Sequence, residues 1–243
     1  MLEKYLVDYF KCHSCGFVCT EKPFWLEEAY ATAITGSDAG LVSRNIHLAA
    51  ITKVVLTIFF NSSNRFLDFA GGYGLFVRLM RDSGFDFKWH DRYCTNLFAG
   101  GFAVDLENVA NYDLVTAFEL FEHLVDPVAG LNEILTKSRN ILFTTNILPE
   151  PTPKSGDWWY YGLEHGQHVS FYTKKSLEIL AAQNGLNFYT NGATVHLFTE
   201  EKLSASLFYL LARRKSARLL APLLARKSLL EVDFRNATGS ELY

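Results

Sequence analysis

The most regular pattern in the chain begins at Arg65, where short apolar runs start to alternate with longer stretches of helical periodicity. Five runs have the length of buried strands, and helices are predicted at 75–83, 127–137 and 173–184. Such alternation is typical of a doubly wound α/β fold, in which helices cover both faces of a mostly parallel sheet. The predicted strands are 66–70, 85–90, 102–104, 112–118 and 140–145.

Two flanking regions add to this alternating core. Residues 23–60 predict helices, and Ser37 and Asp38 are candidate caps of a long one. The connection 149–166 is rich in proline, glycine and aromatic residues, and loops of this length in a compact domain are commonly functional. The remaining predictions are a strand at 186–198 with a turn or bulge at Asn191-Gly192, helices at 202–230 broken near Pro222, and a loose tail from Asp233.

Length and composition favour an ordinary globular protein with one main domain. The 243 residues divide into an N-terminal extension with cysteines and helices (1–60), a ligand-binding domain (61–200) and a C-terminal helical segment (201–243). A net charge of -3 gives no general attraction to nucleic acid, so no nucleic-acid partner is expected. No secretory leader and no transmembrane segment are predicted, because the longest apolar run, 48–60, is short and contains Lys53. With four cysteines and no disulfide pattern, a cytoplasmic protein is expected.

The candidate chemistry centres on a glycine-rich loop between the first predicted strand and a helix. Glycines let a backbone turn tightly and approach a ligand, and the helix that follows offers free N–H groups. Asp91 falls 23 residues after Asp68, at the end of the second strand, where its carboxylate can accept both hydroxyls of a ribose. The loop itself is Asp68-Phe69-Ala70-Gly71-Gly72-Tyr73-Gly74.

This loop resembles motif I of the class I S-adenosylmethionine-dependent methyltransferases, with Ala70 in place of the first glycine of the turn. If that position needs a positive φ, alanine is strained there. The resemblance extends over roughly 60–190. It includes the segment Tyr112 to Pro127, which is similar to the fourth strand and EH-x-x-DP turn of the family, Thr145-Asn146, and the stretch His168-Val169-Ser170-Phe171-Tyr172.

The resemblance implies a Rossmann-like sheet of seven strands, six parallel and one reversed, that binds S-adenosylmethionine and releases S-adenosylhomocysteine. It places the methionine portion against the glycine loop, with Asp68 near the ammonium group and Asp91 on the ribose. Asp105 and Leu106 would flank the adenine, and Phe118 and Glu119 would close the site. The implied cofactor-binding residues are Asp68, Ala70, Gly71, Gly72, Tyr73, Gly74, Asp91, Asp105, Leu106, Phe118 and Glu119.

Two histidines and an aromatic segment are the candidates for the acceptor side. His168 and His123 are candidate bases because histidine titrates near neutral pH, although His123 also suits a structural role in its turn. An amphipathic aromatic wall suits a sugar-like acceptor or a secondary metabolite, and packing over the sheet edge is the alternative. The predicted substrate-binding residues are Trp158, Trp159, Tyr161 and His165.

The cysteines and the basic C-terminal stretch have ordinary alternatives as well. Cys12, Cys15 and Cys19 supply three of the four ligands that a structural zinc site needs, so the sequence predicts no complete metal site, but a metal-free vestige or a site shared in a dimer. The basic leucine-rich stretch 207–230 is expected to form closing helices, with contact to an anionic membrane surface as the weaker reading.

Three functions remain open from the sequence. The first is methyl transfer to a small-molecule acceptor. The second is a methyltransferase-fold partner subunit with weak or no cofactor binding, which Ala70 favours. The third is a nicotinamide-dependent oxidoreductase, which the absence of a third glycine at Val77 disfavours.

Overall fold

The computed structural model describes residues 1–31, 39–60, 65–106, 111–224 and 226–242. The predicted capping residues Ser37 and Asp38 lie outside these ranges.

A six-stranded sheet forms the centre of the molecule. Its strands are β3 (Phe66–Phe69), β4 (Phe87–His90), β5 (Leu114–Ala117), β6 (Ile141–Thr144), β8 (Asn187–Thr190) and β9 (Val195–Thr199). They lie in the order β4-β3-β5-β6-β9-β8. Neighbours from β4 to β6 are parallel, and β9 runs antiparallel to both β6 and β8. This confirms the doubly wound α/β fold and places the last strand, β9, between β6 and β8.

The sheet differs from the expected seven strands at the segment 102–104. Ala103 forms an isolated parallel bridge with Trp89, through hydrogen bonds from Trp89 N to Phe102 O (2.9 Å) and from Val104 N to Trp89 O (3.0 Å). This bridge is isolated, so the segment 102–104 pairs with β4 at one residue and does not form a strand. Five strands of the main sheet therefore run in one direction and β9 in the other.

The central strands are buried along their whole length. Every residue of β3, β5 and β6 is buried, as expected for strands covered on both faces. One core contains side chains of α2, α3, α6 and α7, and the core on the opposite face contains those of α4 and α5. The helices are α1 (Leu26–Ala29), α2 (Leu41–Phe59), α3 (Leu75–Asp82), α4 (Pro127–Leu135), α5 (Lys174–Gln183), α6 (Ala205–Leu211), α7 (Arg214–Leu220) and α8 (Leu230–Thr238).

Helix α2 is longer than the apolar run that the sequence shows. By length and composition alone its 19 residues could cross a membrane. In the structure, Val54, Val55 and Leu56 are fully buried in the first core, where α2 packs against α3 and α7.

The expectation of a loose tail from Asp233 is wrong. Residues Leu230–Thr238 form α8, and Asp233 is buried. Its carboxylate accepts from Arg81 Nε (2.8 Å) and Nη2 (2.7 Å), and also from Arg78 Nη2 (2.7 Å). This bidentate ion pair fixes α8 against α3, while the helices before it break at the 3-10 turn Ala221–Leu224, as Pro222 predicts.

A second, three-stranded antiparallel sheet joins the N-terminus to the segment that follows His168. Its order is β1 (Tyr9–Lys11), β2 (Val18–Thr20) and β7 (Ser170–Phe171). The N-terminal appendage is thus a hairpin that pairs with the strand directly after His168, and it positions that strand from outside the main sheet.

Candidate functional site

A cavity of about 1090 Å³ opens where β3, β4 and β5 end at their carboxyl edge. This is the edge at which doubly wound sheets bind ligands. The glycine loop and the residues after β4 form one end of the cavity, and the segment 159–168 with the turn after β5 forms the other.

The glycine loop adopts left-handed backbone at alternate positions. The φ angles are +58° at Ala70, +54° at Gly72 and +84° at Gly74. The condition under which alanine is strained at position 70 is therefore met, at a cost of about 1–2 kcal/mol. Gly71 serves another purpose, because a Cβ atom there would lie 2.8 Å from Asp68 Oδ2. The loop folds directly over that carboxyl group.

Asp68 lies beneath the loop and is almost fully buried. Thr116 Oγ1 donates to its Oδ1 at 2.6 Å. Burial raises the pKa of Asp68 to about 7, although the Thr116 hydrogen bond opposes this change and Asp91 adds to it. Among the described residues, no cationic side chain contributes to the pKa of Asp68. A positively charged group bound in the cavity would therefore favour the ionised form of this carboxyl group.

Asp91 is oriented by main-chain donors on both of its oxygens. Oδ1 accepts from Tyr93 N (2.7 Å) and Cys94 N (2.8 Å), and Oδ2 accepts from Gly72 N (2.9 Å). The bond from Gly72 joins the end of β4 to the glycine loop. Since each carboxylate oxygen has two lone pairs, Oδ2 retains an acceptor site for a ligand hydroxyl.

Eight of the eleven predicted cofactor-binding residues line this one cavity. Gly74, Asp105 and Leu106 lie outside its wall. Gly74 begins α3 and packs against Asn96 and Ala99, whereas Asp105 is exposed and Leu106 packs on the second core. The eight are Asp68, Ala70, Gly71, Gly72, Tyr73, Asp91, Phe118 and Glu119.

The two candidate bases meet at the opposite end of the cavity. The ring centroids of His123 and His168 are 4.9 Å apart, and both rings line the cavity wall. His168 Nδ1 donates to the carbonyl oxygen of Tyr160 at 2.7 Å, so its Nε2 carries the lone pair. Burial lowers the pKa of His168 to about 4 and that of His123 well below its usual value, and both rings are neutral at pH 7.

Glu122 lies directly beneath these histidines in the 3-10 turn Phe121–His123. It is fully buried, and neither side-chain oxygen has a hydrogen-bond partner. Burial, with repulsion from Glu119, raises the pKa of Glu122 to about 8. The Tyr160 and Thr145 hydroxyls favour its ionised form, but neither meets it in hydrogen-bonding geometry.

Some residues of the aromatic segment 158–165 line the cavity, and others pack against the second sheet. Trp159 is 76% exposed and lines the cavity together with His165. Trp158 and Tyr161 instead pack with Phe171 in a small core over the second sheet. Two of the four predicted substrate-binding residues thus face the cavity, and the other two hold the segment in place.

Aromatic residues that the sequence did not single out complete the wall. Tyr30 stacks on Tyr93 with ring centroids 5.5 Å apart, and its hydroxyl lies 2.9 Å from His123 Nδ1. No local pattern connects a residue at position 30 with one at position 123, so only the tertiary fold reveals this contact.

The three N-terminal cysteines lie outside the wall of the cavity, whereas Cys94 lines it. Cys12 and Cys15 are in the turn between β1 and β2, and a hydrogen bond with the Ser14 hydroxyl lowers the pKa of Cys12 to about 6. Within the described part of the chain, Cys12, Cys15 and Cys19 do not form a cluster close enough to hold a metal ion.

Comparison with known proteins identifies the fold. The sequence matches the family model of a methyltransferase domain over residues 42–191, and a search of curated sequences finds no match. The structure resembles plantazolicin methyltransferase BpumL, crystallised with a monoazolic analog and SAH, at 11% identity, covering 73% of this chain and 93% of that one, with a TM-score of 0.51.

Two further similar structures are more distant. Mitomycin 7-O-methyltransferase MmcR is 14% identical over 64% of this chain, with a TM-score of 0.45, and human N-acetylserotonin methyltransferase is 15% identical over 64%, with a TM-score of 0.47. The chain spans only 54% and 52% of these two proteins. At such identities the likeness is one of fold.

Proposed function

The chain belongs to the methyltransferase-domain family, and on that premise we propose that it transfers a methyl group from S-adenosylmethionine to a small-molecule acceptor. The observation that supports this most directly is the single cavity shared by the glycine loop, Asp68 and Asp91 at one end and by Trp159 and the histidines at the other. Donor and acceptor can meet in such a cavity, which is the main requirement of methyl transfer.

The residues at the glycine end fit the cofactor. Asp68 is a buried carboxyl group that a cofactor ammonium would keep ionised, and Asp91 keeps an acceptor site for a ribose hydroxyl. The alternation of left-handed residues from Ala70 to Gly74 lets the loop approach the methionine portion closely. When bound, S-adenosylmethionine supplies an electrophilic methyl group on its sulfonium.

The other end suits a flat, partly apolar acceptor, such as a sugar-like molecule or a secondary metabolite. Trp159 offers an exposed aromatic face, and His165 offers a polar edge beside it. His123 and His168 line this end of the cavity as neutral imidazoles, and we expect them to take up the proton that the acceptor loses. These residues orient the acceptor and assist the loss of its proton.

Calorimetric titration with S-adenosylhomocysteine, with NADH as the control, tests the cofactor assignment. We expect binding of the first alone and its loss in Asp91→Ala. Binding of NADH instead would refute the proposal. Binding of neither ligand would favour the second candidate, a methyltransferase-fold partner subunit, for which the strained Ala70 is the specific observation.

A further inference from the structure

Three side chains of the kind that bind metal ions, Glu122, His123 and His168, lie together at the histidine end of the cavity. Binding of the cofactor does not account for this cluster. One ligand-type atom from each of Glu122, His123 and His168 lies within 4.8 Å of the other two. Glu122 is fully buried, and both of its carboxyl oxygens are without a hydrogen-bond partner. A buried carboxyl group in that state is costly, so a missing partner is the natural explanation for its position.

The backbone holds these groups in place from two sides. The 3-10 turn that carries Glu122 and His123 is tied to the segment after His168 by three hydrogen bonds, which fixes the two halves of the cluster relative to each other. The bonds run from Val169 N to Glu122 O (2.8 Å), from Ser170 Oγ to Leu124 O (2.6 Å) and from Tyr172 Oη to Phe121 O (2.9 Å).

Each imidazole also has a neighbour that orients it. His168 donates from Nδ1 to Tyr160 O, which leaves Nε2 as a free ligand atom. Tyr30 Oη lies 2.9 Å from His123 Nδ1 and can accept its proton in the same way. Ligating histidines are commonly held by such a second hydrogen bond. The main chain of Gln167 also forms a hydrogen bond with the His123 ring, and a bound ion would have to replace it.

We propose that Glu122, His123 and His168 bind one divalent first-row transition metal ion, for which zinc is the reference. Two imidazoles and one carboxylate suit such ions, whereas magnesium and calcium favour oxygen ligands. Bonds of about 2.0–2.1 Å bring tetrahedral ligand atoms to about 3.4 Å from each other, so the three side chains close slightly around the ion. The ion would bind one oxygen of Glu122 and would neutralise the charge of the whole carboxylate.

Three protein ligands leave a coordination position open, as in catalytic zinc sites. His123 and His168 line the cavity, so this position faces the space beside Trp159 and His165. An oxygen atom of the acceptor is the ligand that would fill it. This last assignment rests on the proposed function, whereas metal binding itself does not. With the ion bound, the two imidazoles act as ligands instead of bases, because a nitrogen that binds the ion has no lone pair for a proton.

Cobalt(II) absorption tests the site directly. The full chain is stripped with a chelator and titrated with Co²⁺ in a background of Cys12→Ser, Cys15→Ser, Cys19→Ser and Cys94→Ser, which removes all four thiols of the chain. We expect one Co²⁺ per chain, visible bands of a low-coordinate site, and displacement by Zn²⁺. A chain that binds no cobalt overturns the proposal, and displacement by an equal concentration of Mg²⁺ overturns the assigned metal class.

Variants locate the ion. Glu122→Gln keeps the shape of the side chain and is expected to weaken Co²⁺ binding at least tenfold, as is His168→Ala, while His47→Ala on α2 leaves it unchanged. Equal affinity in Glu122→Gln and the parent overturns the proposal. S-adenosylhomocysteine titration of each variant shows that it is folded and separates the two proposals. Cofactor binding without cobalt binding refutes only the metal site. Cobalt binding without cofactor binding refutes only the proposed methyl transfer.

Discussion

Replacing Asp68 by asparagine removes a carboxyl group that the fold buries beneath the glycine loop. The change keeps the shape of the side chain and an oxygen that can accept from Thr116 Oγ1. It removes the ability to ionise. We therefore expect the cofactor-free protein to become more stable at neutral and alkaline pH.

The magnitude follows from the difference in pKa between the folded and unfolded chains. Burial raises the pKa of Asp68 from 3.8 to about 7. A raised pKa in the folded state means that stability is fully present below pH 3.8 and is lost as the pH rises to about 7. At about 1.4 kcal/mol for each unit of pKa, the total loss is about 4 kcal/mol, of which about 2.5 kcal/mol falls between pH 5 and pH 8.

Urea unfolding at pH 5, 6, 7 and 8 measures this difference. The free energy of unfolding of Asp68→Asn should exceed that of the wild type by a margin that grows by about 2.5 kcal/mol across the series. Asp8→Asn, at an exposed position, should give a constant margin near zero. A margin for Asp68→Asn that does not change with pH would show that the carboxyl group is already paired or hydrated, and would refute the reasoning.

The same substitution should weaken binding of the cofactor, although it stabilises the cofactor-free protein. A bound ammonium group beside Asp68 favours the carboxylate, and asparagine cannot supply that charge. We expect Asp68→Asn to weaken S-adenosylhomocysteine binding in calorimetry by at least tenfold at pH 8, in the same protein that is more stable without ligand. Unchanged affinity would place the ammonium group elsewhere.

Three further predictions concern other parts of the fold. Ala70→Gly should raise the free energy of unfolding by about 0.5 kcal/mol in urea titration. Glycine relieves about 1–2 kcal/mol of strain in the left-handed backbone, and this outweighs the conformational entropy that it adds to the unfolded chain. A loss of stability would show that the backbone at position 70 is not strained. Asp233→Asn should lower stability by about 3 kcal/mol, because it leaves the buried Arg81 guanidinium without its bidentate partner, and a change below 0.5 kcal/mol in thermal unfolding would show that α8 is dispensable. Trp159→Ala should weaken acceptor binding while leaving the melting temperature unchanged, and Trp158→Ala should do the reverse; equal effects in both assays would refute the division between them.

The sequence predicted those parts of the fold that depend on local patterning. Continuous apolar runs located β3, β5 and β6, and the glycines after β3 located the loop, because a buried strand and a tight turn each depend on a few adjacent residues. Asp68 and Asp91 followed from their positions at the ends of two parallel strands. In the structure, both residues line the same cavity.

What escaped prediction depends on distant packing. Polar and charged residues at the C-terminus indicated a loose tail, yet Arg81 of α3 gives Asp233 a buried partner about 150 residues away. The run 102–104 has the composition of a strand but only one bridge to β4. A glutamate in a turn is ordinarily exposed, and only the three-dimensional surroundings of Glu122 show that it is buried.

The pairing of β2 with β7 has a consequence for the order in which the protein matures. The glycine loop and Asp91 come from segments within about 30 residues of each other, so the cofactor end can assemble early during synthesis. The acceptor end waits for residues 18–20 to close a loop of about 150 residues onto 170–171. A nascent chain would therefore acquire a place for the methyl donor before it acquires a place for the molecule to be methylated, and a chain without residues 18–20 would lack the pairing that completes the second place.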